Sequence, residues 1–214
     1  MKLYDYAASG NCYKVRLLLA QLERPYDRIP IDIFGGDTLT EEYAAKNPAR
    51  ATPLLETDDG KLLPESNAIL LFLAQGTPFL PTDPFDLAQV VRWLIFEQTD
   101  VMMTMGGLRF RLVTGRFTAD SPDATRRREG AEATLRFLDR HLQTQPFLVG
   151  DTYTIADIAT YGYTHVAPEA DLDLDPYPAV RAWLARMEDQ PRYMNDLEPY
   201  PENARAGAGV SIYG

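Results

Sequence analysis

The hydrophobic pattern changes period once along the chain, near residue 80, and that change sets the folds open to it. Before it, short alternating runs lie between glycine and proline turns, with helical stretches between them. After it, apolar residues recur only at spacings of three and four, the mark of helices. A chain of 214 residues holds one large domain or two small ones. The expectation is an α/β + all-α chain: a mixed domain over 1–76, a linker over 77–85 and an all-helical domain over 86–214. Pro78, Pro81 and Pro84 give the linker an extended character.

Within the first part, residues 2–6 alternate and read as a strand, and residues 12–23 carry Val15, Leu18, Leu19 and Leu22 on one helical stripe. Residues 26–33 read as a second strand, parallel to the first across a right-handed crossover. A short helix is expected over 40–46. Runs at 54–57 and 61–63 flank Asp58-Asp59-Gly60, a strong hairpin signal. A helix over 66–75 ends at Gly76. The second part reads as helices over 86–110, 123–143, 155–167 and 177–189, with an irregular tail from Tyr200.

Composition removes several functions. One cysteine, Cys12, makes no internal bridge and no cysteine-rich zinc site. Two histidines argue against a histidine-ligated metal, so no metal is expected. A net charge of −10 repels phosphate backbones, so nucleic acid is not an expected partner. No apolar leader opens the chain, and the run 68–74 is too short to span a bilayer, so a reduced cytoplasmic compartment and no membrane are expected.

Four segments carry chemistry. In Ser9-Gly10-Asn11-Cys12 a strand feeds a glycine loop that opens a helix. Free N–H groups and the positive dipole end stabilise an anion there, and the Ser9 hydroxyl can donate to it. The structural alternative is that Ser9 or Asn11 only caps the helix. In Thr52-Pro53 a proline opens an edge strand; a cis bond would aim the Thr52 backbone at a peptide-like ligand, whereas a trans bond is the commoner case. Glu65-Ser66 places a carboxylate and a hydroxyl at a helix start, suited to the ammonium and carboxylate ends of an amino acid, or else to capping alone. Thr154-Ile155-Ala156-Asp157 is a capping box before a core helix, a structural feature.

In this order and spacing the segments resemble the cytosolic glutathione transferase family, over nearly the whole chain. Ser9-Gly10-Asn11, Asn47-Pro48 through Thr52-Pro53-Leu54-Leu55-Glu56, Pro64-Glu65-Ser66-Asn67-Ala68-Ile69 and Phe147-Leu148-Val149-Gly150-Asp151 through Asp157 match best. The chain looks like a bacterial member of the serine-using kind. The resemblance implies a thioredoxin-like N-terminal domain (βαβ-ββα) that binds glutathione, followed by a helical domain. It implies Ser9 at the sulfur, Asn11 and the Thr52 backbone ahead of a cis Pro53 nearby, and Glu65 and Ser66 at the γ-glutamyl group. It also implies a homodimer in which Asp100 reaches the partner's glutamyl site.

One departure stands out. Where many relatives carry Lys, Gln or Arg, this chain has Ala51, and the adjacent Arg50 is the expected substitute. Rivals for the sulfur contact are Cys12, Tyr6 and Tyr4. The electrophile is expected against Met102, Met105, Arg109 and Phe110 of the first long helix, with Phe117 after it; the alternative places Met102 and Phe110 in a core or dimer contact and Arg109 in an ion pair. The expected activity is conjugation of glutathione to a small, apolar electrophile. The alternatives are glutathione-dependent disulfide reduction through Cys12, or a non-catalytic interaction protein.

Overall fold

The computed structural model describes residues 1–212. It divides into two compact units, one of residues 1–73 with the chain from Met194 onward, the other of residues 74–193.

The first unit is built on a four-stranded sheet of order β2-β1-β3-β4, with β1 (Lys2–Asp5), β2 (Asp27–Pro30), β3 (Leu54–Glu56) and β4 (Leu62–Pro64). β1 pairs parallel with β2, and the helix between them, α1 (Gly10–Gln21), makes the crossover. β3 and β4 pair antiparallel across Gly60, whose φ of 78° suits the turn. A short α2 (Glu41–Lys46) precedes β3, and α3 (Ser66–Leu73) follows β4 and packs on α1. This is the expected thioredoxin-like βαβ-ββα arrangement.

α1 departs from the one-sided stripe read in the sequence. Ten of its twelve residues are buried, Lys14 and Arg16 among them. The reason is the tail. Tyr13 Oη donates to the Met194 carbonyl at 2.9 Å, and Arg16 Nε donates to both oxygens of Asp196 at 2.9 Å. Arg16 Nη1 also donates to Asp5 at 2.6 Å, and Arg28 Nε reaches the other Asp5 oxygen at 2.6 Å. Two guanidiniums and two carboxylates thus neutralise one another, which is the condition for burying them. Farther on, Glu198 N donates to the Ala7 carbonyl at 3.2 Å and Val210 N to the Phe34 carbonyl at 2.8 Å. The stretch from Met194 was expected with the helical domain; it belongs to the first unit because its partners lie there.

The second unit holds α4 (Pro84–Phe96), a π-helical stretch Glu97–Gly106, α5 (Gly107–Val113), α6 (Pro122–Leu142), α7 (Ile155–Thr164) and α8 (Pro178–Glu188). The single helix expected over 86–110 therefore widens in its middle. The wide turns end at Gly106-Gly107, where the Tyr163 ring lies within 2.9 Å of the point a Gly106 β carbon would occupy. α7 is buried at all ten positions and forms the centre of this unit. Its capping box is complete, and Asp157 also accepts from Leu148 N at 2.9 Å and Trp183 Nε1 at 3.0 Å. The expected linker is not a free connector. Phe79 accepts from Ile155 N at 3.0 Å, and its ring meets Tyr153 at 5.7 Å, so this segment belongs to the second unit. Among the described residues no helix is long and apolar enough to cross a membrane.

Candidate functional site

The first unit gathers three of the four chemistry-bearing segments, those at Ser9, Thr52-Pro53 and Glu65-Ser66, around the N-termini of α1 and α3. Ser9 ends the loop after β1 in an extended conformation and caps α1: its Oγ accepts from Cys12 N at 3.3 Å. Only a lone pair is used in that bond, so the hydroxyl proton can be donated, to the neighbouring Cys12 sulfur or to a ligand. Capping and anion binding, posed as alternatives from the sequence, are compatible in one residue. Ser9 is half-buried, and the first turn of α1 carries no acidic residue, so its positive end is not neutralised from within.

α3 starts beside it. Ser66 Oγ donates to Asn11 Oδ1 at 3.4 Å, which ties the two helix starts together. Ser66 is buried, and the first turn of α3 also lacks an acid. Glu65 has a φ of 72°, in the left-handed region that residues with a β carbon seldom adopt. Its backbone carbonyl accepts from Ile69 N, while its side chain is exposed and takes no protein partner among the described residues. The Thr52–Pro53 bond is cis, Thr52 is half-buried and Pro53 is buried.

Other candidates stand differently. Cys12 is fully buried, and its sulfur accepts from Tyr6 N at 3.4 Å. Burial, with the nearby Asp5 charge, pushes the thiol up to about 12, so it is not a thiolate at neutral pH. Tyr4 turns to the opposite face of the sheet, packs on Tyr43 and Leu54, and donates to Glu56 at 2.6 Å. Burial pushes its phenol up to about 12 as well. Tyr6 is buried between Phe34 and Tyr200, with ring centroids 6.0 and 6.4 Å away. Arg50 turns toward the Thr38 carbonyl at 3.2 Å and Glu41 at 3.1 Å, so its charge is already paired.

The electrophile-side residues separate. Met102 and Phe110 are half-buried. Met105 is 1% exposed and is a core residue. Arg109 is 2% exposed and donates to Glu169 at 2.8 Å; it is therefore a structural ion pair and not a free cation for an anionic acceptor. The sequence reading missed the tail beside the Ser9 loop. Tyr200 carried no periodic signal, and only its position three-dimensionally next to Tyr6 marks it.

Residues 3–79 match the family profile for the glutathione S-transferase N-terminal domain, and residues 101–191 match the profile for its C-terminal domain. A solved glutathione S-transferase from Pseudomonas fluorescens Pf-5 is 42% identical, with a TM-score of 0.89 over 92% of this chain and 98% of that one. A maleylacetoacetate isomerase of Rhizobium meliloti is 32% identical over 84% of this chain and 87% of its own length. The disulfide-bond oxidoreductase YfcG of Escherichia coli is 29% identical over 87% of this chain and 89% of its own. The chain belongs to the glutathione S-transferase family. Membership goes with a glutathione-related activity, while the names of these relatives span more than one reaction.

Proposed function

We propose that the protein is a glutathione transferase of the serine-using kind. Glutathione lies along the first unit, with its sulfur at Ser9, its cysteinyl backbone against the Thr52 backbone ahead of Pro53, and its γ-glutamyl group between Glu65 and Ser66. Asn11 orders the start of α3 through Ser66. A free thiol of pKa ~8.5 is mostly protonated at neutral pH. The Ser9 hydroxyl and the unneutralised start of α1 stabilise the thiolate, which then attacks a small, apolar electrophile. No covalent bond to the protein is needed. The observation that carries this reading is the half-exposed Ser9 hydroxyl, which caps α1 as an acceptor and keeps its proton to donate.

Ser9→Ala tests it. A hydrogen bond to an ion contributes about 1.5–3 kcal/mol, so turnover of a chlorodinitroarene should fall at least about tenfold. Circular dichroism checks that the helix survives loss of its cap. Unchanged turnover in a folded variant refutes the assignment.

Reduction through Cys12 is not supported, because the thiol is buried and protonated. A non-catalytic role predicts no heat on titration with millimolar glutathione. The homodimer and the cytoplasmic setting remain part of the proposal. Exposed Phe85 and Ile95 on α4 suit a protein interface. Asp100, which takes the Thr99 hydroxyl at 2.6 Å, is half-buried and would face the partner's glutamyl group in such a dimer.

A further inference from the structure

The second unit contains a cavity of about 500 Å³ whose wall includes Met103, Arg111, Phe117, Asp123, Arg126 and Arg127. In a chain of net charge −10, three guanidiniums and one carboxylate on one cavity wall is a local reversal of sign. Two of the guanidiniums converge. The point a Gly107 β carbon would occupy lies 2.9 Å from Arg127 Nη1 and 3.4 Å from Arg111 Nη1. They come from different helices, α6 and α5, and meet over a residue with no side chain.

Among the described residues no carboxylate forms a salt bridge with either member of this pair, although the charge of Asp123 acts on Arg111 from a distance. Arg111 Nη1 donates to the Gly107 carbonyl at 3.0 Å, and Arg127 Nη1 donates to the Met103 carbonyl. Asp123 is engaged by Arg126 at 3.2 Å. Burial first, and then the charges of Arg127 and Arg116, lower the pKa of Arg111, with Asp123 opposing them in part. Beside the cations, Phe117 lies 5.6 Å from the Arg111 guanidinium carbon, and Met103 adds apolar surface.

We propose that this cavity binds a phosphate monoester with an aromatic or apolar body. The phosphate sits between Arg111 and Arg127, with Arg126 at its rim, and the body lies on Phe117 and Met103. A doubly charged head matches two converging guanidinium forks, which bind phosphate oxygens in pairs. The volume is in the range of sites for small organic ligands, about 300–1,000 Å³. None of these residues is among those assigned to glutathione, so the two ligands bind independently.

The test is calorimetric titration of the whole protein with phenyl phosphate, in the absence and presence of saturating glutathione. Submillimolar binding is expected, equal in both conditions and weakened by salt. Arg111→Gln and Arg127→Gln should each weaken it about tenfold or more, and benzyl alcohol should give no heat. Inorganic phosphate should bind more weakly than phenyl phosphate, since it lacks the body. A measurement on the unaltered protein stands beside the variants: phenyl phosphate should slow phenylglyoxal modification of Arg111 and Arg127, read by mass spectrometry. No binding at millimolar phenyl phosphate, equal binding by both variants, inorganic phosphate binding as tightly, competition by glutathione, or unprotected arginines each overturns the proposal.

Discussion

Asp196→Asn separates the contribution of the tail from that of the rest of the first unit. Asp196 takes Arg16 Nε through both oxygens at 2.9 Å, and Arg16 is fully buried. Breaking a buried pair by removing one partner costs about 3–5 kcal/mol, because a charge is left uncompensated. Two facts reduce that here. Asp196 is itself 37% exposed, so water screens part of the pair, and Arg16 keeps Asp5 at 2.6 Å. Asparagine also retains one acceptor oxygen for Nε. The expected loss is therefore about 2 kcal/mol, concentrated in the tail's attachment. The assay is hydrogen exchange at Glu198 and Val210, whose amides bond to Ala7 and Phe34. Their exchange should quicken about 30-fold, since each tenfold corresponds to 1.36 kcal/mol. High salt should reduce the effect only in part, since Asp196 is partly exposed but Arg16 is buried. Asp173→Asn is the control: it removes the same charge from an exposed site, where asparagine can keep the bond that Asp173 accepts from Asp175 N. Exchange at the wild-type rate in Asp196→Asn, or equal acceleration in the control, refutes the reasoning.

Other expectations follow from single residues. Burial pushes Asp157 up to about 6, above the ~3.9 of an unfolded aspartate. Native protein then holds that proton more tightly, so the residue's stabilising contribution is full below about pH 4 and lost as pH rises through about 6, by about 3 kcal/mol. Urea unfolding of wild type and Asp157→Asn at both ends of that window should show the difference between them changing by this amount; a difference independent of pH contradicts it. Cys12 should react with a disulfide reagent at least about 100-fold more slowly in the folded protein than after unfolding, because thiolate is the reactive form and burial suppresses it; comparable rates would return Cys12 to the site. Glu65→Gln should raise the glutathione dissociation constant about tenfold by calorimetry, the effect of losing a charge-assisted bond to ammonium. An unchanged constant would detach Glu65 from the γ-glutamyl group.

What could be read from the sequence was what short stretches of chain decide for themselves. The strand-loop-helix around Ser9, the Asp58-Asp59-Gly60 hairpin and the Thr154–Asp157 box each rest on contacts a few residues apart, and the structure contains them. Residues whose role depends on distant partners were not legible. Arg109 could be read as a cation for an anionic acceptor or as half of an ion pair, and only Glu169, 60 residues later, decides for the pair. Cys12 stood as a rival to Ser9 at a helix start, where a thiol pKa can fall, with a small buried core residue as the alternative; the packing that buries it dominates over the dipole. Arg50 stood where a ligand-binding cation was wanted, and the turn of chain at Thr38–Glu41 takes it instead. The tail has no periodicity because its backbone is held by single hydrogen bonds and one ion-pair node, which leave no repeating pattern to detect.

The bond from Arg16 to Asp196 spans 180 residues. Everything in the second unit is synthesised between the two ends of that contact. A growing chain therefore carries α1 with its second face open, and with a guanidinium meant for burial still in water, throughout translation of α4 to α8. The helical unit has local contacts enough to form first; the older half of the chain is finished last. Closing so long a loop costs only slowly more entropy than closing a short one, but it delays the step. Nascent chains halted just before residue 194 should thus present a folded helical unit joined to a first unit that still binds chaperones through its uncovered helix.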